Sequence, residues 1–132
     1  MSHFHAVVWL DHQEARIFHI TETEAERIAI HPHAPAKHLH NHGSRSNAHL
    51  KADDAFLHAV VAALRGAEEW LIVGPGGCKT ELVKHIERHD PTSRDRVVGV
   101  ESADHPTDGQ IVAHARHYFA KYDQTLPNAP SA

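Results

Sequence analysis

The chain has 132 residues, 41% of them hydrophobic and 23% charged, with a net charge of −4 at pH 7. That is the length of one domain, enough to bury roughly two thirds of the unfolded surface in a single core. The lone cysteine, Cys78, excludes an internal disulfide and a thiolate metal cage. No apolar stretch approaches the ~20 residues that span a bilayer. Met1 to His5 holds no basic segment leading into an apolar run, so no signal peptide is expected and a soluble cytoplasmic protein is.

Ala6 to Leu10 is an apolar run of strand length, and Asp11 to Glu14 is polar enough to turn. Ala15 to Ile20 predicts a second strand, with Ile17 and His19 alternating against Phe18 and Ile20. Glu26 to His31 predicts a third, with Ile28 and Ile30 on one face. Short connections make these an antiparallel meander. Pro32 and Pro35 end it, since neither can donate to a ladder. Asp53 or Asp54 then caps a helix running to about Arg65, with Phe56, Leu57, Val60, Val61 and Leu64 as its stripe and Gly66 as its C-cap.

Trp70 to Val73 reads as a buried strand stopped by Gly74-Pro75-Gly76-Gly77. A helix follows from about Lys79 to His89, burying Leu82, Val83 and Ile86, and Asp90-Pro91 stops it. Arg96 to Val100 is a further short strand. Thr107 or Asp108 caps a last helix through Lys121, with Ile111, Val112, Ala115, Tyr118, Phe119 and Tyr122 on its apolar side. The tail over 126–132 should fray. The order β-β-β-α-β-α-β-α predicts an α/β domain over residues 1–125, with a mixed five-stranded sheet and flanking helices. That is the element order of the ribonuclease-H-like architecture.

The hydrophobic period lapses over residues 32–51, which read as a flexible basic loop. From Arg27 through Ala52 there is no acidic residue, while Arg27, Lys37, Arg45 and Lys51 give +4 on a chain of −4, leaving −8 for the remainder. A basic patch on an acidic body concentrates anions, and nucleic-acid phosphate is the commonest of them. Six of the 16 histidines fall between His31 and His49. Their ordinary pKa of about 6.5 makes this patch more cationic near pH 6.

Enzymatic constellations fare less well. Gly74 to Thr80 follows a strand and opens a helix, but a phosphate loop ending at Lys79 needs glycine where Val73 and Cys78 stand. Ribonuclease chemistry needs clustered carboxylates holding two metal ions. Asp11, Asp53 and Asp54 read instead as a turn residue and helix caps. His38-Leu39-His40-Asn41-His42 would put three imidazoles on one face if extended, a donor set for zinc or copper. No carboxylate lies nearby in sequence to orient them, and no cofactor is expected. His58, His85, His114 and His117 fall on helices, where hydrogen-bonded, partly exposed imidazoles are expected. Cys78 at a helix start has a lowered thiol pKa in principle, yet reads as a packing residue.

Leu71-Ile72-Val73-Gly74 followed by Lys79-Thr80-Glu81-Leu82 resembles a signature in the middle domain of archaeal and eukaryotic class-1 peptide-release factors. Pelota has the same domain, and small bacterial proteins called translational machinery proteins look similar along their full length. His42-Gly43 and the helix after it are similar to the His-Gly before the release factors' Gly-Gly-Gln loop. The resemblance covers nearly the whole chain and implies a ribosome or tRNA partner. It departs at the decisive point: Arg45-Ser46-Asn47 stand where Gly-Gly-Gln would place an amide in the peptidyl-transferase centre. Asp108-Gly109-Gln110 is no substitute, because it begins the last helix.

Together these readings predict a ribosome-associated, RNA-binding translation factor for rescue or stress-time ribosome binding, without Gly-Gly-Gln-type release. Lys37, His38, His40, His42, Arg45, Asn47 and Lys51 are expected to contact phosphates or stack on unpaired bases. The alternatives are a peptidyl-tRNA hydrolase using Asn47 and a histidine of the 42–47 loop, a metal-binding protein, and a protein-interaction module on the same fold.

Overall fold

The computed structural model describes residues 4–32 and 53–125. Strands β1 (His5–Leu10), β2 (Ala15–Ile20) and β3 (Ala25–Ile30) come first. Helix α1 (Asp54–Leu64), β4 (Glu69–Gly74), α2 (Cys78–His89), a 3-10 turn (Pro91–Arg96), β5 (Val97–Ser102) and α3 (Asp108–Thr125) follow. The five-stranded sheet has the order β3-β2-β1-β4-β5. Its first three strands pair antiparallel, and β1–β4 and β4–β5 pair parallel. The mixed α/β sheet expected from the element order is the one observed.

Side-chain alternation along β1 divides the core in two. Ala6, Val8 and Leu10 pack under α1 and α2, against Phe56, Val60, Leu64, Leu82 and Ile86. Val7 and Trp9 point the other way, onto Ile111, Ala115 and Phe119 of α3. β1 is therefore buried on both faces, which is why it reads as an unbroken apolar run rather than an alternating one. The predicted α1 stripe is buried in full.

Local signals start and stop these elements. The Asp11 carboxylate accepts from the backbone N–H of Gln13 at 2.8 Å and of Glu14 at 3.0 Å, closing the β1–β2 turn. Asp53 caps α1 by accepting from Ala55 N–H at 3.1 Å. Thr107 and Gln110 form a reciprocal capping box on α3, at 3.1 and 2.9 Å. Gly66, past the end of α1, has φ +102°, a conformation that strains any residue with a Cβ.

Several boundaries differ from expectation: β3 covers Ala25–Ile30, β5 ends at Ser102, and β4 and α2 start at Glu69 and Cys78. β5 starts at Val97 because Pro91–Arg96 coils into a turn instead of continuing loosely. Asp90 organises that turn, accepting from Arg65 Nη2–H at 2.9 Å and from Ser93 Oγ–H at 2.8 Å, and these bonds, Arg65 foremost, hold its carboxyl below the usual range. α3 runs past Lys121 to Thr125, and this extra turn brings Asp123 to within 3.1 Å of His5 on β1.

His85 corrects the expectation of a hydrogen-bonded, partly exposed imidazole. It is 4% exposed between α1 and α2, and neither ring nitrogen has a hydrogen-bond partner among the described residues. Burial, then the neighbouring His89, pushes its pKa below the ordinary 6.5; His58 and Arg88 add to this and Asp54, 3.9 Å away, opposes it. A depressed histidine favours folding fully above about pH 6.5, and that contribution drains away as pH falls through its folded-state value. His85→Leu should therefore flatten the acid side of the stability profile. Urea midpoints of wild type and variant at pH 7.5 and pH 5.5 check this, with the variant losing less on acidification.

Candidate functional site

β1, β3, β4 and β5 all run in one direction, so their carboxyl ends share one edge of the sheet. The chain adds β2 and β3 to one side of β1 and β4 and β5 to the other. Open α/β sheets bind ligands outside the carboxyl edge, where the strand order reverses. Here that edge carries the turns at 11–14, 74–77 and 103–107. β3, which precedes the basic segment in sequence, also ends at this edge, at Ile30.

These turns interlock. A Cβ on Gly74 would lie 2.2 Å from the Leu10 carbonyl oxygen, so β1 and β4 can approach this closely only with glycine there. The Cys78 thiol is buried, donates to the Asp11 carbonyl at 3.4 Å, and is pushed up to about 12 by burial and then by Glu81 and Asp11. It is a packing residue, and its burial outweighs any lowering by the helix start. His12 Nε2 lies 3.2 Å from Glu81 Oε2, and His105 Nε2 3.5 Å from Asp11 Oδ2. Lys79 folds back onto the Gly76 carbonyl at 2.5 Å, so it stabilises its own turn.

A second group ties β2 and β3 to the start of α3. The Arg16 guanidinium lies 4.6 Å over the Trp9 ring, donates to Asp108 at 2.7 Å and to the Pro106 carbonyl at 3.2 Å. Arg27 reaches the other Asp108 oxygen at 2.9 Å. Trp9 Nε1–H donates to the Asp104 carbonyl at 2.8 Å. Arg27, counted in the basic segment, is thus already ion-paired. Beside these residues a cavity of about 350 Å³ opens between β4, β5 and α3, with Glu101 and His114 2.6 Å apart at its rim.

Lys37, His38, His40, His42, Arg45, Asn47 and Lys51 lie outside the described residues. The carboxylates weighed for metal chemistry do not converge, because Asp11 and Asp53 are bonded to backbone amides in a turn and a cap. Sequence reading missed a different cluster at the opposite edge, formed by His5, Glu69 and Asp123. Burial, followed by hydrogen bonding and charge from Asp123, pushes the Glu69 carboxyl up to about 7. No local pattern could reveal it, since its members are distant in sequence.

The fold is similar to that of solved archaeal structures. Pelota of Archaeoglobus fulgidus superposes with a TM-score of 0.63 at 11% identity, over 89% of this chain and 32% of that one. Pelota of Thermoplasma acidophilum gives 0.59 at 18% identity, over 97% of this chain and 36% of that one. A structure described as an archaeal protein gives 0.51 at 11%, over 91% and 39%. The likeness is one of fold. This chain spans about a third of the length of those proteins. Comparison with protein-family models and with curated proteins gives no match. No helix among the described residues is long and apolar enough to cross a membrane.

Proposed function

We propose that this chain is a ribosome-associated factor that binds the ribosome or tRNA, in rescue or stress-time occupancy, without catalysing peptide release. The observation that carries the reading is the Pelota-like fold over nearly the whole chain. It agrees with the resemblance of Leu71–Gly74 and Lys79–Leu82 to the middle-domain signature of release factors and Pelota. The proposed contacts are Lys37, His38, His40, His42, Arg45, Asn47 and Lys51, which follow a strand that ends at the sheet's carboxyl edge. Of the segment's four cations Arg27 is engaged with Asp108, so the proposed phosphate contacts are Lys37, Arg45 and Lys51.

Co-sedimentation with ribosomes across a salt series tests the reading. Binding that weakens steeply with salt supports it; salt-independent binding, or capture only by other proteins, favours an interaction module. The chemistry is tested separately. Arg45 and Ser46 carry side chains where a close backbone approach needs glycine, and Asn47 is one methylene shorter than glutamine. A misplacement near 1 Å can cost about a hundredfold in rate. Release of peptide from ribosome-bound peptidyl-tRNA should stay at the protein-free background. Rapid release lost in Asn47→Ala would establish the hydrolase instead.

A further inference from the structure

At the amino edge of the sheet, three potential ligands meet from three elements. His5 opens β1, Glu69 opens β4 and Asp123 stands in the last turn of α3. His5 Nε2 lies 3.3 Å from Glu69 Oε1 and 3.1 Å from Asp123 Oδ2, and one donor atom from each residue lies within 4.8 Å of the other two. Zinc bonds to nitrogen and oxygen of about 2.0–2.2 Å place tetrahedral or octahedral donors roughly 2.8–3.6 Å apart. Both histidine–carboxylate distances fall in that range. From these residues we infer that His5, Glu69 and Asp123 form a site for a divalent transition-metal ion of the zinc type.

Two observations besides proximity support an ion. Glu69 Oε1 and Asp123 Oδ1 are shielded from solvent, and apart from His5 Nε2 at 3.3 Å from Glu69 Oε1 they have no hydrogen-bond donor in close reach among the described residues. Two carboxylates gathered round one imidazole repel each other unless a proton or a cation lies between them, and a divalent ion fills that role. One divalent ion cancels the two carboxylate charges. The scaffold is also set in advance. The Phe4 carbonyl accepts from the N–H groups of both Glu68 and Glu69 at 2.9 Å, locking the start of β1 to that of β4. The His5 ring is stacked on Phe119 at 4.2 Å and meets Phe4 edge-on at 5.0 Å, which restricts its orientation. The donor set is imidazole plus carboxylate, suited to zinc or manganese and unsuited to copper(I). Three protein ligands leave a position for water.

Calorimetric titration of the full chain with zinc chloride tests this, in a background where His38, His40 and His42 are alanine to remove that alternative donor set. One equivalent should bind and raise the melting temperature. Glu69→Gln and Asp123→Asn, each retaining shape, should weaken uptake at least about tenfold, since each removes a charged ligand. Uptake unchanged in both variants, or no uptake by the parent, would overturn the site. If a variant fails to fold, manganese broadening of amide signals in the parent decides. Broadening centred on His5, Glu69 and Asp123 supports the site, and broadening confined to 31–49 removes it.

Discussion

Lys37→Ala, Arg45→Ala and Lys51→Ala combined should lower ribosome affinity roughly a hundredfold near 0.1 M salt. Each phosphate contact releases counterions and contributes about 0.7–0.9 to the log–log salt slope, so losing three should flatten it by about 2 to 3 units. Co-sedimentation or filter binding over a salt series reads both numbers from one experiment. Thermal stability should hardly change, because charge-to-alanine substitutions outside packed or hydrogen-bonded features usually stay within about 0.5 kcal/mol. That pairing separates a contact role from a structural one. Unaltered affinity in the triple variant would remove the basic segment from the interface and move the binding reading to a protein-interaction surface. The other cations near the carboxyl edge offer little compensation, since Arg16 and Arg27 share Asp108 and Lys79 is held by Gly76.

Gly74→Ala should be the most damaging single substitution among the described glycines. The added Cβ would meet the Leu10 carbonyl oxygen at 2.2 Å, and that oxygen belongs to the backbone of the central strand. No rotamer change relieves such a contact, so β1 and β4 must separate where Trp9 pairs with Val73. Overpacking of this kind costs on the order of 3 kcal/mol. A melting temperature lower by roughly 10 °C follows for a domain of this size. Gly76→Ala is the control: a Cβ there meets nothing within 4 Å, so its cost should be small. Equal melting temperatures for the two variants would show that the strands tolerate separation at this point. The contrast also explains the Gly-rich turn without a nucleotide, as a close approach between strands and not a phosphate cradle.

Much of this molecule was legible in one dimension because its signals are local. Asp11, Asp53 and Thr107 make hydrogen bonds to amides two or three residues away, so turn and cap chemistry could be read directly from the chain. The period of 3.6 over Phe56 to Leu64 and the unbroken apolar runs of β1 and β4 reflect burial on one helix face and on both sheet faces. Element order then constrained topology, because parallel strands need crossover helices. The departure from Gly-Gly-Gln at Arg45 to Asn47 is likewise a property of three consecutive letters.

Other features depend on which distant residues fold against one another. His85 looks like any helical histidine until α1, through His58, packs against it and buries it, leaving neither nitrogen with a hydrogen-bond partner among the described residues. The Cys78 thiol is raised because burial and the charges of Glu81 and Asp11 act through space, against a helix-start rule that concerns the helix alone. Arg27 counts as a basic-patch cation in sequence but is committed to Asp108, brought to it from the start of α3. His5, Glu69 and Asp123 become a ligand set only when β1 and β4 pair in parallel and α3 crosses back beneath their starts. Composition and spacing report what each segment prefers. Desolvation and charge–charge contact depend on distances in space, and those exist only once the segments have packed.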